Sequence, residues 1–230
     1  QVNIYGNHVG SWNFAATAYL NRWKVKIYYE HYFDDHSQMF FQYGRWKDGH
    51  IGLEITFPKN RFIDTFVYEG LGTKDQTGPM LYDSFWGKFE EQISAKDNYY
   101  NHYLYQGWQH WGMGIGNPLL PGPIYNKNGQ ITFISNRVLA HHIGFCGSPC
   151  QSLSYRMLLS YSRHWGTYDN PLNEIKKQFN SLFEVTYAPQ QLTGWSFTVS
   201  GAMDRGSILG NNYGGMLVIR KQGIIKSGNK

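Results

Sequence analysis

The stretch Leu153–Trp165 reads LSYRMLLSYSRHW. Leu153, Tyr155, Met157, Leu159 and Tyr161 alternate with Ser154, Arg156, Leu158, Ser160 and Ser162. A period of two puts the first set on one side of an extended strand and the second on the other. The same alternation recurs downstream. Over Phe179–Ala188, Phe183, Val185 and Tyr187 oppose Glu184 and Thr186; over Trp195–Asp204, Trp195, Phe197 and Val199 oppose Ser196, Thr198 and Ser200. A last strand is expected over Tyr213–Gly223. Upstream, strands are expected over Trp12–Leu20, Trp23–Phe33, Ile51–Phe57, Phe62–Leu71 and Arg137–Phe145. In the second of these, Trp23, Val25, Ile27 and Tyr29 face one way and Lys24, Lys26, Tyr28 and Glu30 the other. The alternation over Phe62–Leu71 is ambiguous, because Asp64 shares a face with Phe62, Phe66 and Tyr68. The reading is all-β, with about nine antiparallel strands in one domain over residues 1–230.

The connections are sorted by length. Those at Asn21, Lys59, Gly147 and Pro189 read as short; those beginning near Asp34, Gly72, Gly166 and Gly206 read as longer. Short turns at one end and long loops at the other characterise outer-membrane barrels. Composition agrees: charged residues are 16% and aromatics 17%, with 18 Tyr and 26 Gly. A soluble aromatic-rich sandwich would share that composition but has no reason to sort its loops. No apolar run is long enough for a spanning helix, so crossing a membrane would require a closed barrel. The expectation is therefore an antiparallel transmembrane β-barrel in a bacterial outer membrane, contacting its lipid. Trp23, Val25, Ile27, Met157, Leu159, Phe183, Val185, Phe197 and Val199 would face lipid. Lys24, Lys26, Glu30, Glu54, Arg156, His164, Glu184, Asp204 and Arg220 would face the lumen. An odd strand count that starts at the outer side does not complete a bacterial barrel. The chain is therefore expected to be the C-terminal part of a larger barrel, unless an upstream strand is missing or misread.

The connection from about Gly72 to Asn136 is far longer than a turn requires, with a short helix expected near Ser84–Ala95. Its segment Asn98–Gly129 is dense in Tyr, Trp and Gly and nearly free of charge. Such a stretch in a β-rich chain reads as a functional loop. Tyr99, Tyr100, Tyr103, Tyr105, Trp108 and Trp111 can stack on sugar faces, with Asn117 among the amides that bond hydroxyls; the alternative is an interface girdle or packing of the loop on itself.

Cys146 and Cys150, in FCGSPCQ, read as a turn that an oxidising compartment could bridge. Two thiols make no zinc site, and the adjacent His141 and His142 point to opposite faces of a strand; no metal or cofactor is expected. The net charge of +5 comes from scattered Lys and Arg, which gives no nucleic-acid stripe. It would help recruit an acidic polymer or lipid head groups. No G-x-S-x-G elbow appears, so no enzyme is expected, although Ser162 and His164 share a strand face as in a membrane hydrolase.

Several motifs carry a resemblance. Tyr99-Tyr100-Asn101, Gly107-Trp108, Gly114-Ile115-Gly116-Asn117-Pro118, Arg137 with Ala140-His141-His142, Tyr161 through Tyr168, and Asp204-Arg205-Gly206 resemble the capsule-assembly Wzi family over about Asn98–Ile225. The resemblance implies a Gram-negative outer-membrane barrel of roughly eighteen strands. It also implies lectin-like retention of capsular or other surface polysaccharide, without catalysis and with export-machinery partners unnamed. A porin or sugar-specific channel with the same wall is the second expectation, and an outer-membrane hydrolase the third.

Overall fold

The computed structural model describes residues 10–33, 39, 48–60, 62–76, 80–81, 93–94, 98–101 and 108–223. The chain is all-β. Strands β1 (Gly10–Leu20), β2 (Trp23–Phe33), β3 (Gly49–Thr56) and β4 (Thr65–Gly72) precede the long connection. Within it lie two short pairs, β5 (Met80–Leu81) with β6 (Ile93–Ser94), and β7 (Gln109–His110) with β8 (Met113–Gly114). After it come β9 (Val138–Cys150), β10 (Leu153–Gly166), β11 (Pro171–Tyr187), β12 (Trp195–Gly206) and β13 (Asn212–Lys221). The nine long strands form one sheet in the order β1-β2-β3-β4-β9-β10-β11-β12-β13. Every neighbouring pair is antiparallel. β1 and β13 end the order and do not pair with each other. No helix among the described residues is long and apolar enough to cross a membrane, which says nothing of strands.

Four expectations need correction. First, β4 begins at Thr65, so Asp64 lies outside it and the ambiguous alternation disappears. Second, Cys146 to Cys150 is no turn: β9 runs through Cys150, and the turn is residues 151–152. The Gly-Ser-Pro sequence is accommodated because the β9–β10 register shifts between Leu153 and Tyr155; proline is tolerated in a sheet at such a bulge. Both thiols are free. Four positions along a strand span about 13 Å, beyond the reach of a disulfide. Third, the long polar loop over Gly166–Lys177 shrinks to residues 167–170, because β11 begins at Pro171. The sorting of connections therefore fails in the second half, where residues 188–194 outnumber residues 167–170. Fourth, Ile93 and Ser94 are strand rather than helix, and the rest of the expected Ser84–Ala95 helix lies outside the described residues.

Register fixes the two faces. Val25, Ile55, Phe66, Phe145, Met157 and Phe183 are successive cross-strand partners. Ile27, Leu53, Tyr68, Ile143, Leu159 and Ser181 form the next row on that face. This apolar face is the open one: Ile27 is 55% exposed, Val199 61% and Leu217 66%. The other face carries the row Tyr28, Gly52, Glu69, His142, Ser160, Asn180, Asp204 and Asn212. All nine residues expected on the polar side share this face. Lys24 reaches Glu54 at 3.7 Å and Arg156 reaches Glu184 at 3.3 Å. Asn180 donates to Asp204 at 2.6 Å, and Lys26 lies 5.3 Å from the Tyr28 ring centre. Arg220, on edge strand β13, is exposed and partners Ser196 in register. Ser162 and Gln178 on the polar face are 1% and 2% exposed. Where the long connection covers it, the sheet buries polar side chains, while Ile27, Val199 and Leu217 on the other face stand open; away from the connection, Ser154 and Arg156 on the polar face are exposed.

The described part of the long connection lies against the polar face. Its Leu120 and Phe133 form a core with Leu71, Val138 and Ala140, flanked by Tyr32, Tyr100, Trp108 and Leu119.

One glycine is dictated by packing. The Tyr28 ring lies across Gly52, so that its hydroxyl donates to Glu69 Oε1; a Cβ on Gly52 would sit 2.0 Å from that ring. Gly52→Ala should therefore destabilise the chain by about 1–3 kcal/mol. In a Tyr28→Ala background the same substitution should cost far less, since the obstacle is gone. Urea unfolding of the four proteins checks this; equal costs in both backgrounds would show that the ring is not the constraint.

Candidate functional site

The site is built from the root of the long connection upward. Asn136 is fully buried. Its Nδ2 donates to Asn98 Oδ1 and, at 2.8 Å, to the Tyr99 carbonyl. Its Oδ1 accepts from Gln76 Nε2 at 3.3 Å, and its carbonyl accepts from Thr73 Oγ1 at 2.7 Å. Its own N–H donates to the Gly166 carbonyl at 3.3 Å. Next door, Arg137 Nε donates to the Lys74 carbonyl at 2.9 Å, and its guanidinium lies 3.9 Å from the Tyr168 ring centre. Tyr168 in turn donates to the Asp75 carbonyl at 2.8 Å. Residues 73–76, 98–101, 135–137 and 166–168 are thereby tied together. Buried backbone groups that no sheet ladder can pair are satisfied here by side-chain amides.

Asn101 extends the pattern. It accepts from Phe133 N–H and donates to the Phe133 carbonyl, both at 2.8 Å, as a neighbouring strand would. Phe133 in turn meets Tyr100 edge-on at 5.1 Å, and Tyr100 stacks on Trp108 at 5.3 Å with the rings 11° apart. The Asn117 N–H donates to the Tyr100 hydroxyl at 3.2 Å, while Asn117 Oδ1 caps the Leu119 N–H at 2.9 Å.

Between this aromatic wall and the polar face lies a cavity of about 680 Å³. Its sheet wall includes Glu30, His50, Glu69, His142 and Ser160; its roof includes Tyr99, Tyr100, Trp108 and Asn117. Aromatic faces opposite hydrogen-bonding side chains are the two surfaces a sugar ring needs. Four of the seven residues expected to bind glycan therefore meet at one cavity, although Tyr99 is almost wholly buried. Trp111 does not join them. It sits at the tip of the β7–β8 hairpin, 83% exposed, with a left-handed backbone at φ 55. Tyr103 and Tyr105 lie outside the described residues. The row of Glu69, His142 and Ser160 carried no separate signal in the sequence, because only the register across the long connection brings them side by side.

Ser162 and His164 are also adjacent. Ser162 Oγ is 2.9 Å from His164 Nε2, and Ser135 Oγ is 3.4 Å from Nδ1. All three are buried. The far imidazole nitrogen faces a hydroxyl rather than a carboxylate, and the Ser162 hydroxyl is covered, so the group ties the root of the connection to β10. Among the described residues no cluster of His, Cys, Asp and Glu could hold a metal ion.

Compared with known proteins, the chain matches no family model, no curated protein and no solved structure.

Asp48 closes the root from the side of β3. It is 2% exposed and accepts from the backbone N–H groups of Asp75, at 3.0 Å, and Gln76. Burial raises its carboxyl to about 7, against those two hydrogen bonds, which favour the ionised form. A raised folded value means the protonated form is the better-tolerated one in the fold. Its stabilising contribution is complete below the unfolded value near 4 and is lost as pH rises through about 7. Protection of the Asp75 and Gln76 amides against hydrogen exchange, corrected for intrinsic rates, should fall between pH 5 and pH 8 on that basis. Asp48→Asn should flatten the profile; an unchanged slope in the variant would assign the pH dependence elsewhere.

Proposed function

We propose that this chain is part of a bacterial outer-membrane β-barrel that retains capsular or other surface polysaccharide through its long connection, without catalysing a reaction on it. The membrane part of the reading is supported by the inversion of the sheet. A continuous apolar face exposed to the surroundings, with a polar face buried beneath a loop, is costly in water and favourable in lipid. The glycan part rests on one observation: the cavity of about 680 Å³ between the Tyr100–Trp108 stack and the polar row of the sheet. Capsule as the source of that glycan follows the motif resemblance to the Wzi family. The channel reading is weakened because the connection packs on the face that would line a pore. The hydrolase reading is weakened because Ser162 is covered.

The membrane reading predicts the cost of charge on each face. Leu159 lies in the apolar row between Ile143 and Ser181, and Ser160 in the polar row beside His142. Leu159→Arg should cost about 2–4 kcal/mol in lipid-vesicle refolding, and Ser160→Arg clearly less. The reverse order would put lipid on the other face.

The glycan reading is tested at Trp108. Trp108→Leu keeps apolar bulk against the loop core but removes the ring face turned to the cavity. In encapsulated cells, polysaccharide should shift from the cell-bound to the free fraction, with barrel levels unchanged by heat-modifiable migration. Retention equal to that of the unmodified protein would remove this cavity as the binding site.

A further inference from the structure

We infer that the cavity takes a sugar unit carrying no acid group, an inference that rests on the glycan reading above. Glu30 and Glu69 both line the sheet wall, and among the described residues no Lys or Arg lines the cavity. One imidazole stands between the two carboxylates. His50 Nδ1 lies 3.8 Å from Glu30 Oε2, and His50 Nε2 lies 3.5 Å from Glu69 Oε1. Each carboxylate is also held by a hydroxyl, Glu30 by Ser11 at 2.8 Å and Glu69 by Tyr28. Those contacts fix the carboxylates in place and leave lone pairs for further donors, since a carboxylate offers about four acceptor sites.

A carboxylate accepts and cannot donate when ionised, whereas a sugar hydroxyl does both. The wall is therefore matched to hydroxyl or ammonium donors. A uronate or phosphate would bring a like charge beside two fixed carboxylates in a partly buried site, where screening is weak. His142, held at 2.6 Å from Ser160, completes the polar wall. Opposite it, the Tyr100–Trp108 stack offers a flat apolar surface. Described cations near the lining in sequence are engaged elsewhere: Lys74 and Arg163 lie over Trp165, Arg137 over Tyr168, Lys26 over Tyr28, and Arg156 beside Glu184. The chain's net charge of +5 is thus no guide to what this cavity selects.

The test is a tryptophan-fluorescence titration of the full chain, refolded in detergent, at pH 8. The probes are matched oligomers of glucose, glucosamine and glucuronate. The glucose or the glucosamine oligomer should bind, with the glucuronate oligomer weaker by about tenfold or more. Replacing the pair, Glu30→Gln with Glu69→Gln, should narrow that gap, because glutamine keeps the size and one acceptor but loses the charge. Glucuronate binding as tightly as glucose in the unmodified protein would overturn the inference and leave the glycan reading standing. Failure of all three oligomers would overturn the glycan reading itself.

Discussion

The hydrogen bonds of Asn136 are what hold the long connection against the sheet. The described part of the segment between Gly72 and Val138 covers a face with only two two-residue ladders of its own. Every backbone N–H and C=O it buries needs a partner, and an unmatched one costs about 1–3 kcal/mol. Asn136 supplies acceptor, donor and main-chain bonds to three other segments from one fully buried position. Asn101 does the same for Phe133, using its amide as a substitute peptide group. The aromatic stack beyond these amides then has a fixed place, and the cavity is the space left between that stack and the sheet.

The sheet accepts such a cover because its faces are inverted. Residues that a soluble protein would bury, such as Val199 and Leu217, lie open. Residues it would expose, such as Ser162, Gln178 and Ser200, are enclosed. Buried hydroxyls and amides persist only when bonded, and the polar face meets this requirement row by row. His142 pairs with Ser160, Asn180 with Asp204, and Thr186 with Thr198. The exposed ion pairs contribute little by themselves, since pairs of that kind are worth roughly 0–1 kcal/mol. The register, rather than any single pair, makes this face continuous.

The strand faces were legible in the sequence because period two survives wherever apolar and polar residues contrast. Leu153–Trp165 is such a stretch, and β10 matches it within one residue. The reading failed where contrast disappears. In Pro171 to Lys177 the apolar Leu172 and Ile175 are three apart rather than two, so the strand shows no period, and its extension comes from pairing with β10. Gly147-Ser148-Pro149 carried a turn signal that the β9–β10 bulge absorbed. For the site, aromatic content and lack of charge marked the right loop. They could not separate Trp108, which is packed at the cavity, from Trp111, which stands in the open. That distinction depends on the β7–β8 turn and on the crossing of Ile124, whose N–H donates to the Gly112 carbonyl at 2.7 Å. The crossing is a tertiary fact with no local signature; the turn itself is local, with Trp111 and Gly112 both at positive φ.

The same division explains why composition misleads about the cavity. Net charge sums over the whole surface and governs recruitment over distances up to about a Debye length, near 10 Å at moderate salt. Selection inside a partly enclosed site depends on the few groups that line it. In this fold the lining is fixed by register: Glu30 faces His50 across β2 and β3, and Gly52 places Glu69 within reach of Tyr28. A side chain at position 52 would displace Tyr28 and release one of the two carboxylates from its hydroxyl donor. A residue that contributes no contact of its own therefore sets the chemistry of the wall, because its empty volume is where the tyrosine must lie.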